Sequence, residues 1–268
     1  MSTKNNPMTF TEKYISVCGQ KIWTKHIVVN ENNRKPTIIM LHDALGSVAQ
    51  WKDYPVILSE KTGCNILLYD RLGHGKSAER YKPLTKIFFI DEALSTLPQI
   101  INKYNLTNFI LYGHSDGGTI ALLYAANIHM HKPLAVIAEA SHVLNEEKTI
   151  SGIKNTLKNT HAILQKLIKY HGNKAETLFS DWSNLWLSNI MKNWNISTKL
   201  KNIDVHTLII QGENDEYGTI NQVNNILKNI QSNGEKLILE NCGHFPYKEK
   251  QNLVIQKVNS FINQLLNI

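Results

Sequence analysis

A serine flanked by glycines lies between a predicted strand and a predicted helix. The apolar run at 109–112 precedes a G-H-S-D-G sequence at 113–117, and a helical pattern follows it. In that context a G-x-S-x-G sequence predicts a sharp turn, in which small glycines relieve crowding and the serine hydroxyl is exposed above a sheet. The N-terminus of the next helix would stabilise negative charge on a developing oxyanion. These features predict that Ser115 is a nucleophile rather than an ordinary turn serine.

A nucleophilic serine requires a base, because its hydroxyl is a weak nucleophile at neutral pH. The chain has 11 histidines. His244 follows the last predicted strand, at 236–239, and precedes the C-terminal helix. The other loop histidines adjoin strand ends or glycine turns, where a hydrogen-bonding role suffices. We therefore predict that His244 is the general base.

A carboxylate is expected to orient this histidine, from a loop that lies between the serine and the histidine in the chain. Asp215 follows an apolar strand at 206–211 and a short turn, so it meets this expectation. Glu139 closes the preceding predicted strand, at 134–138, and a side chain there could reach the same histidine from a neighbouring strand. Asp215 is the preferred candidate and Glu139 is the alternative.

Short apolar runs and helical patterns alternate along much of the chain. The predicted strands lie at 14–17, 21–28, 37–42, 65–70, 109–112, 134–138, 206–211 and 236–239. The predicted helices lie at 47–62, 91–104, 117–128, 220–229 and 247–266. Strands that alternate with helices predict an α/β fold, with a largely parallel sheet covered on both faces. Such a sheet brings the loops that carry Ser115, Asp215 and His244 to one edge.

One interval of about sixty residues breaks this alternation, since it has helical patterning but no convincing strand. We interpret residues 141–204 as a helical cap inserted into a core made of residues 1–140 and 205–268. The interval contains Trp182 and Trp186, which we predict to line an apolar substrate pocket. The alternative is that these tryptophans only pack the insertion against the core.

Three further motifs join the serine turn in an order that resembles the α/β-hydrolase family. The sequence L-H-D-A-L-G-S at 41–47 resembles the family's H-G-x-x-G-S loop, and D-R-L-G-H-G-K-S at 70–77 resembles its D-x-x-G-x-G-x-S turn. The G-x-x-D sequence at 212–215 and the G-H pair at 243–244 complete the set. The resemblance extends from about Ile22 to the C-terminus. It implies an α/β-hydrolase fold with a mostly parallel eight-stranded sheet, flanking helices and an inserted helical cap.

The resemblance also implies that the backbone N–H groups of Ala44 and Asp116 form an oxyanion hole. Asp43 departs from the family pattern, which usually has glycine at that position. Relatives that open epoxides or remove halides use an aspartate nucleophile, whereas this chain has Ser115 at that position. Those two chemistries are therefore not expected.

These residues predict a serine hydrolase that cleaves a carboxylic ester or thioester of a small or medium-sized substrate through an acyl-enzyme. Such a mechanism needs no cofactor and no metal, and the sequence lacks an H-E-x-x-H motif or a spaced Cys/His set. Hydrolysis of a carbon–carbon bond or an amide, or cofactor-free perhydrolysis, remains open on the same three residues. A ligand-binding receptor or carrier with a hydrolase-like fold and no turnover is the alternative of another class.

Composition limits the partners and the compartment of the 268-residue chain. Its formal charge of +7 leaves an acidic carrier protein open as a partner, but the lysines form no dense block or aromatic-interleaved stripe of the kind that binds nucleic acid. Three scattered cysteines do not make a disulfide framework. No apolar run approaches the roughly 20 residues that span a bilayer, and no apolar segment begins the sequence. We expect a cytoplasmic protein without a membrane span.

Overall fold

Eight strands form one sheet in the computed structural model, which describes residues 8–29, 35–127, 131–232 and 234–267. The strands are β1 (Thr9–Val17), β2 (Gln20–Val28), β3 (Thr37–Leu41), β4 (Asn65–Tyr69), β5 (Phe109–His114), β6 (Ala135–Glu139), β7 (His206–Gly212) and β8 (Gly234–Leu239). Their order in the sheet is β1-β2-β4-β3-β5-β6-β7-β8. Strand β2 pairs antiparallel with both of its neighbours, and every other pairing is parallel. The predicted mostly parallel, eight-stranded sheet is confirmed.

The central strands are apolar on both faces, because helices cover both sides of the sheet. Every residue of β3 and of β6 is buried. Side chains alternate between the faces, so that Ile39 and Leu41 belong to one apolar cluster while Ile38 and Met40 belong to the other. These two clusters hold the strands in place, and the carboxyl ends of the parallel strands meet at one edge.

The connections contain ten α-helices within the described residues. They are α1 (Tyr54–Thr62), α2 (Phe88–Asp91), α3 (Leu97–Lys103), α4 (Asp116–Ala125), α5 (Glu147–Leu157), α6 (Thr160–His171), α7 (Ala175–Trp186), α8 (Ile220–Asn229), α9 (Pro246–Glu249) and α10 (Gln251–Leu266). The single helix predicted at 91–104 is divided, since a π-helical turn at Glu92–Thr96 separates α2 from α3. No helix in the described ranges is long and apolar enough to span a membrane.

Helices α5, α6 and α7, here called the three-helix segment, lie between β6 and β7 in the chain. Their polar contacts with the core are made to loops at the carboxyl edge of the sheet. The Thr149 hydroxyl donates to the carbonyl of Tyr217 at 2.6 Å, and Lys174 Nζ donates to the carbonyl of Gly75 at 2.7 Å. The three-helix segment is therefore fastened over the edge that carries Ser115.

Candidate active site

The turn between β5 and α4 carries Ser115 in a strained backbone conformation. Its φ is 54° and its ψ is −119°, a region that side-chain-bearing residues rarely adopt. A Cβ at Gly113 would lie 2.1 Å from the carbonyl oxygen of Gly117, and a Cβ at Gly117 would lie 2.1 Å from that of Leu41. Both glycines are therefore required for the close backbone approach in this turn, as the G-x-S-x-G pattern predicts.

His244 lies between the serine hydroxyl and a carboxylate. Its Nε2 is 3.0 Å from Ser115 Oγ, and its Nδ1 is 2.9 Å from both carboxylate oxygens of Asp215. With Nδ1 as the donor to Asp215, Nε2 is left to accept the serine proton. The loops after β5, β7 and β8 thus bring the three sequence-predicted residues together. All three are at least 94% buried, since their exposed fractions are 6%, 5% and 1% for Ser115, His244 and Asp215.

The Asp215 carboxylate is held in place by several donors. Gln211 Nε2 donates to it at 2.7 Å, and the backbone amides of Tyr217 and Gly218 donate at 2.8 and 3.2 Å. Burial disfavours the ionised form, but the charge and hydrogen bond of His244 and these donors hold the pKa of Asp215 well below its usual range. Asp215 is therefore anionic at neutral pH and fixed in orientation.

Glu139, the alternative carboxylate, has other partners. It is fully buried, and its two oxygens accept hydrogen bonds from the Tyr112 hydroxyl and from the backbone amide of Tyr247 at 2.5 and 2.9 Å. Burial raises its pKa. Neither of its oxygens contacts the His244 ring in the described structure, so the geometry associates His244 with Asp215 and gives Glu139 a packing role.

Opposing influences act on the His244 ring. Burial disfavours its charged form, but the neighbouring carboxylates of Asp215, Asp43 and Glu216 favour it, and the net effect raises the pKa of His244. The backbone amide of His244 also donates to Glu216 Oε2 at 3.0 Å, which fixes the loop. The ring is therefore basic enough to take a proton and is firmly positioned to do so.

Ala44 and Asp116 line the same pocket as Ser115. Neither amide donates to another group within the described part of the chain. For Asp116 this follows from its position at the first residue of α4, where backbone N–H groups lack helical acceptors. Both donors are available for an oxyanion, and the positive end of the α4 dipole adds to them.

The loop that carries Ala44 is held by side chains from distant parts of the sequence. His42 Nδ1 donates to the carbonyl of Asp43 at 2.8 Å, and Arg71 Nη2 donates to the same oxygen at 2.6 Å. Two further ring nitrogens, His74 Nε2 and His171 Nε2, lie 3.0 Å from the carbonyl oxygens of Ala44 and Leu45. The loop geometry is thereby fixed.

These three loop-supporting histidines are neutral at pH 7. Burial, together with neighbouring positive charge, lowers the pKa of His42 and of His74 well below the usual value, and burial also lowers the pKa of His171. A neutral ring presents one N–H donor and one acceptor, which matches the contacts of two of them: His42 Nε2 accepts from the Arg71 amide at 3.0 Å, and His171 Nδ1 accepts from the Gly75 amide at 2.9 Å. Both ring nitrogens of His74 lie beside carbonyl oxygens, so its single N–H donates to one of them only, that of Ala44 or that of Leu72. The sequence predicts a hydrogen-bonding role for the loop histidines His42 and His74, but it assigns no role to His171.

Asp43, which departs from the family pattern, has defined partners. Its Oδ1 accepts from the Leu45 amide at 2.9 Å, and its Oδ2 lies 3.5 Å from His114 Nδ1. Although burial opposes ionisation, His114 and Lys248 hold the pKa of Asp43 well below its usual range. Asp43 thus places a negative charge at the wall of the pocket and stabilises the turn that follows.

A pocket of about 80 Å³ lies above Ser115, between the core loops and the three-helix segment. Trp182 and Trp186, which are 7% and 2% exposed, are among its lining residues. Sequence reasoning missed several others, among them His142, Tyr217 and Phe245. Each follows the carboxyl end of a strand or adjoins Asp215 or His244 in the chain, so proximity to those residues was the available signal. In the described ranges no group of three or more side chains is arranged to hold a metal ion.

Comparisons with known proteins agree with this architecture. The family described as alpha/beta hydrolase fold matches residues 36–190. A proline iminopeptidase of Saccharolobus solfataricus is 24% identical over 100% of this chain and 97% of its own length. An esterase from Exiguobacterium antarcticum superposes with a TM-score of 0.75 at 18% identity, over 94% of this chain and all of its own. An enol-lactonase from Burkholderia xenovorans superposes with a TM-score of 0.73 at 15% identity, again over 94% of this chain and all of its own.

Proposed function

This chain belongs to the α/β-hydrolase family, and we propose that it is a serine hydrolase that cleaves a carboxylic ester or thioester through an acyl-enzyme. The observation that carries the proposal is the alignment of Ser115 Oγ, His244 and Asp215 at 3.0 and 2.9 Å. Each side chain has the partner that its role requires, and Ser115 faces an apolar pocket. We assign Ser115 as nucleophile, His244 as general base and Asp215 as the orienting carboxylate.

In the proposed cycle, Ser115 Oγ attacks the substrate carbonyl carbon while its proton passes to His244 Nε2. The carbonyl oxygen becomes an oxyanion, to which the amides of Ala44 and Asp116 donate. The carbon–oxygen or carbon–sulfur bond then breaks, and His244 returns the proton to the leaving group. Water, deprotonated by the same ring, attacks the acyl carbon. The bond from that carbon to Ser115 Oγ then breaks, His244 returns the proton to Oγ, and the carboxylic acid is released. Asp215 stabilises the imidazolium in both halves of the cycle.

We further propose that the three-helix segment acts as a cap that selects the substrate. Its side chains Trp182, Trp186 and Ile153 line the pocket together with the core loops. Apolar walls of this kind favour an acyl or alcohol chain over a strongly polar group. The substrate would therefore carry an apolar portion next to its scissile carbonyl group.

An amide is the second candidate substrate class, and one observation favours it. The ionised carboxylate of Asp43 lines the pocket and is suited to attract an amino group near the scissile bond. The relative from Saccharolobus solfataricus is named a proline iminopeptidase. The same three residues serve either class, but an amide nitrogen leaves only after protonation, so esters make the smaller demand on His244.

Two measurements test the proposed function on the full chain. A fluorophosphonate probe, followed by peptide mapping, should label Ser115 and no other serine. A panel of 4-nitrophenyl esters of increasing acyl length, run beside L-prolyl-4-nitroanilide, should give a higher kcat/KM for the best ester than for the anilide. Labelling of another serine would show that Ser115 is not the nucleophile. A higher kcat/KM for the anilide would indicate that the protein is an amide hydrolase. A stoichiometric burst without turnover would instead indicate a receptor or carrier.

A further inference from the structure

A second cavity adjoins the pocket above Ser115, and within the described residues its lining includes neither Trp182 nor Trp186. Its volume is about 290 Å³, and it shares the residues Ala44 and Asp116 with the pocket above Ser115. The remaining walls come from the loop after β4 and from the region of α2 and its π-helical turn. A substrate carbonyl group bound at Ser115 therefore has space on two sides, and one arm of the substrate can enter this second cavity.

Arg71 is the unusual residue in the wall of the second cavity. It is 2% exposed, and among the described residues its side chain has one hydrogen-bond acceptor, the carbonyl of Asp43, to which Nη2 donates. Its Nε and Nη1 have no acceptor within the described part of the chain. The carboxylate of Asp116 lies 3.9 Å from Nη1, which is beyond hydrogen-bond distance. A buried guanidinium with unused donors is costly unless an anion completes its contacts.

The other charged groups around the second cavity do not complete the contacts of Arg71. Among the carboxylates, Asp91 is exposed, and burial raises the pKa of Asp116 to about 6. Among the cations, Arg80 is paired with Asp181 at 2.9 Å, and Lys82 is exposed to solvent. Glu92 lines the cavity with its Oε2 unpartnered among described residues, but burial raises its pKa to about 7. A carboxyl group near half-protonation at neutral pH can donate a hydrogen bond to an incoming anion instead of opposing it.

We propose that the second cavity binds a carboxylate carried by the substrate, with Arg71 Nε and Nη1 as its donors. The inference rests on the proposed serine hydrolase function, because it assigns a substrate class to the same site. The favoured substrate is an ester or thioester with an apolar portion beside the three-helix segment and a carboxylate on the other arm. A guanidinium is suited to a carboxylate because both are planar and oppositely charged.

The test compares substrates that differ only in this charge, using the full chain. For the acyl arm, 4-nitrophenyl hydrogen adipate is compared with 4-nitrophenyl hexanoate. For the leaving-group arm, 3-carboxyphenyl acetate is compared with 3-carbamoylphenyl acetate. In at least one pair the carboxylate should raise kcat/KM by roughly 10-fold to 100-fold, the effect expected of hydrogen bonds to a charged group. Equal values within both pairs, with the neutral esters still hydrolysed, would overturn the carboxylate site and leave the hydrolase function intact.

Variants of Arg71 and Lys82 then show which residue causes the preference for the carboxylate substrate. Arg71→Met should abolish the ratio between carboxylate and neutral substrates, whereas loss of loop support would lower both members of a pair together. Lys82→Met removes an exposed cation at the same cavity and should change the ratio by less than about twofold, since exposed charges contribute little. Arg71→Lys is the second variant if Arg71→Met does not fold, and it should lose part of the ratio. A ratio that survives in these Arg71 variants would exclude Arg71 as the binding residue. If no substrate is hydrolysed at all, the proposed function itself is wrong.

Discussion

The two sides of the pocket above Ser115 are built differently. On the core side, the Asp215 carboxylate accepts from His244, Gln211 and two backbone amides. On the other side, Trp182 and Trp186 present apolar surface, and the Thr149 hydroxyl, which also lines the pocket, donates to the carbonyl of Tyr217. The difference indicates that the core fixes the positions of the reacting groups while the three-helix segment shapes the space around them.

This contrast has a physical reason. Proton transfer and oxyanion stabilisation depend on hydrogen-bond distances, so a displacement of one ångström is damaging. Apolar contact is not directional, and an apolar wall can change shape without abolishing the chemistry. Substitutions on the core side should therefore change the rate for every substrate, while substitutions in the three-helix segment should change which substrate is preferred.

The largest effect is expected from Ser115→Ala. Without Oγ no acyl-enzyme forms, and kcat for every ester should fall by up to about 10⁶-fold, the loss known for a serine protease nucleophile. The substitution removes one hydroxyl group at a position that is 6% exposed, so the melting temperature should change by only a few degrees. Steady-state kinetics across the ester panel, with thermal unfolding as the fold control, check this. Retained activity on any one ester would contradict a common nucleophile.

Asp215→Asn should have the next largest effect. An amide in place of the carboxylate no longer stabilises the imidazolium and favours the wrong tautomer, which in a serine protease costs about 10⁴-fold in kcat. Glu139→Gln is the matched control, because Glu139 is an equally buried carboxylate whose partners are Tyr112 and Tyr247. We expect it to lower kcat by less than about 10-fold. If Glu139→Gln were the more damaging change, the carboxylate would be assigned to the wrong strand.

The sequence predicted the core side of the site better than the rest, because its signals are local. The turn around Ser115 and the strands before Asp215 and His244 are contiguous patterns of glycine and apolar residues. The contacts that support the loop carrying Ala44 come from residues that are distant in the sequence. His171 lies 126 positions from Leu45, whose carbonyl it contacts, and no spacing rule connects a helix C-terminus to that loop.

The walls of the pocket were predictable only in part. The tryptophans of the interval at 141–204 indicated an apolar region, but the helical pattern did not decide whether they line the pocket or only pack the insertion against the core. Trp182 and Trp186 line the pocket, whereas Trp194 packs against Phe89 with ring centroids 5.3 Å apart. The second cavity beside Arg71 had no sequence signal, since its walls come from separate elements.

Tryptophan substitutions test the wall of the pocket that the three-helix segment forms, and they should have a moderate effect on the preferred acyl length. Trp182→Ala or Trp186→Ala should enlarge the pocket and move the preferred acyl length upward, changing the ratio of long to short esters by roughly 10-fold. Acetyl ester hydrolysis should change less, because Ser115 and His244 stay in place. Trp194→Ala is the control, because it removes a tryptophan that does not line the pocket and should lower the melting temperature without reshaping the profile. A profile that keeps its shape in both pocket variants would reduce these tryptophans to a packing role.

The smallest expected effect is a displacement of the pH profile in Asp43→Asn. In the proposed cycle the neutral His244 ring is the base, so kcat/KM should rise with pH as the ring loses its proton. The negative charge of Asp43 helps to raise the pKa of His244 above 6.5, together with the larger contribution of Asp215. Removing the charge lowers that pKa, and the acidic limb of the profile should move to lower pH. An asparagine oxygen can still accept from the Leu45 amide, so the loop is retained.

Glu213→Gln is the matched control for this displacement, because it removes an exposed carboxylate from the loop that carries Asp215. Solvent screens its charge, and its profile should coincide with that of the unaltered protein. The measurement is kcat/KM for one neutral ester between pH 4.5 and 9, about two units on either side of neutrality. A limb that moves to higher pH in Asp43→Asn, or that moves equally in both variants, would show that Asp43 does not act on His244. Asp215 and Glu216 would then be the carboxylates that raise the pKa of His244.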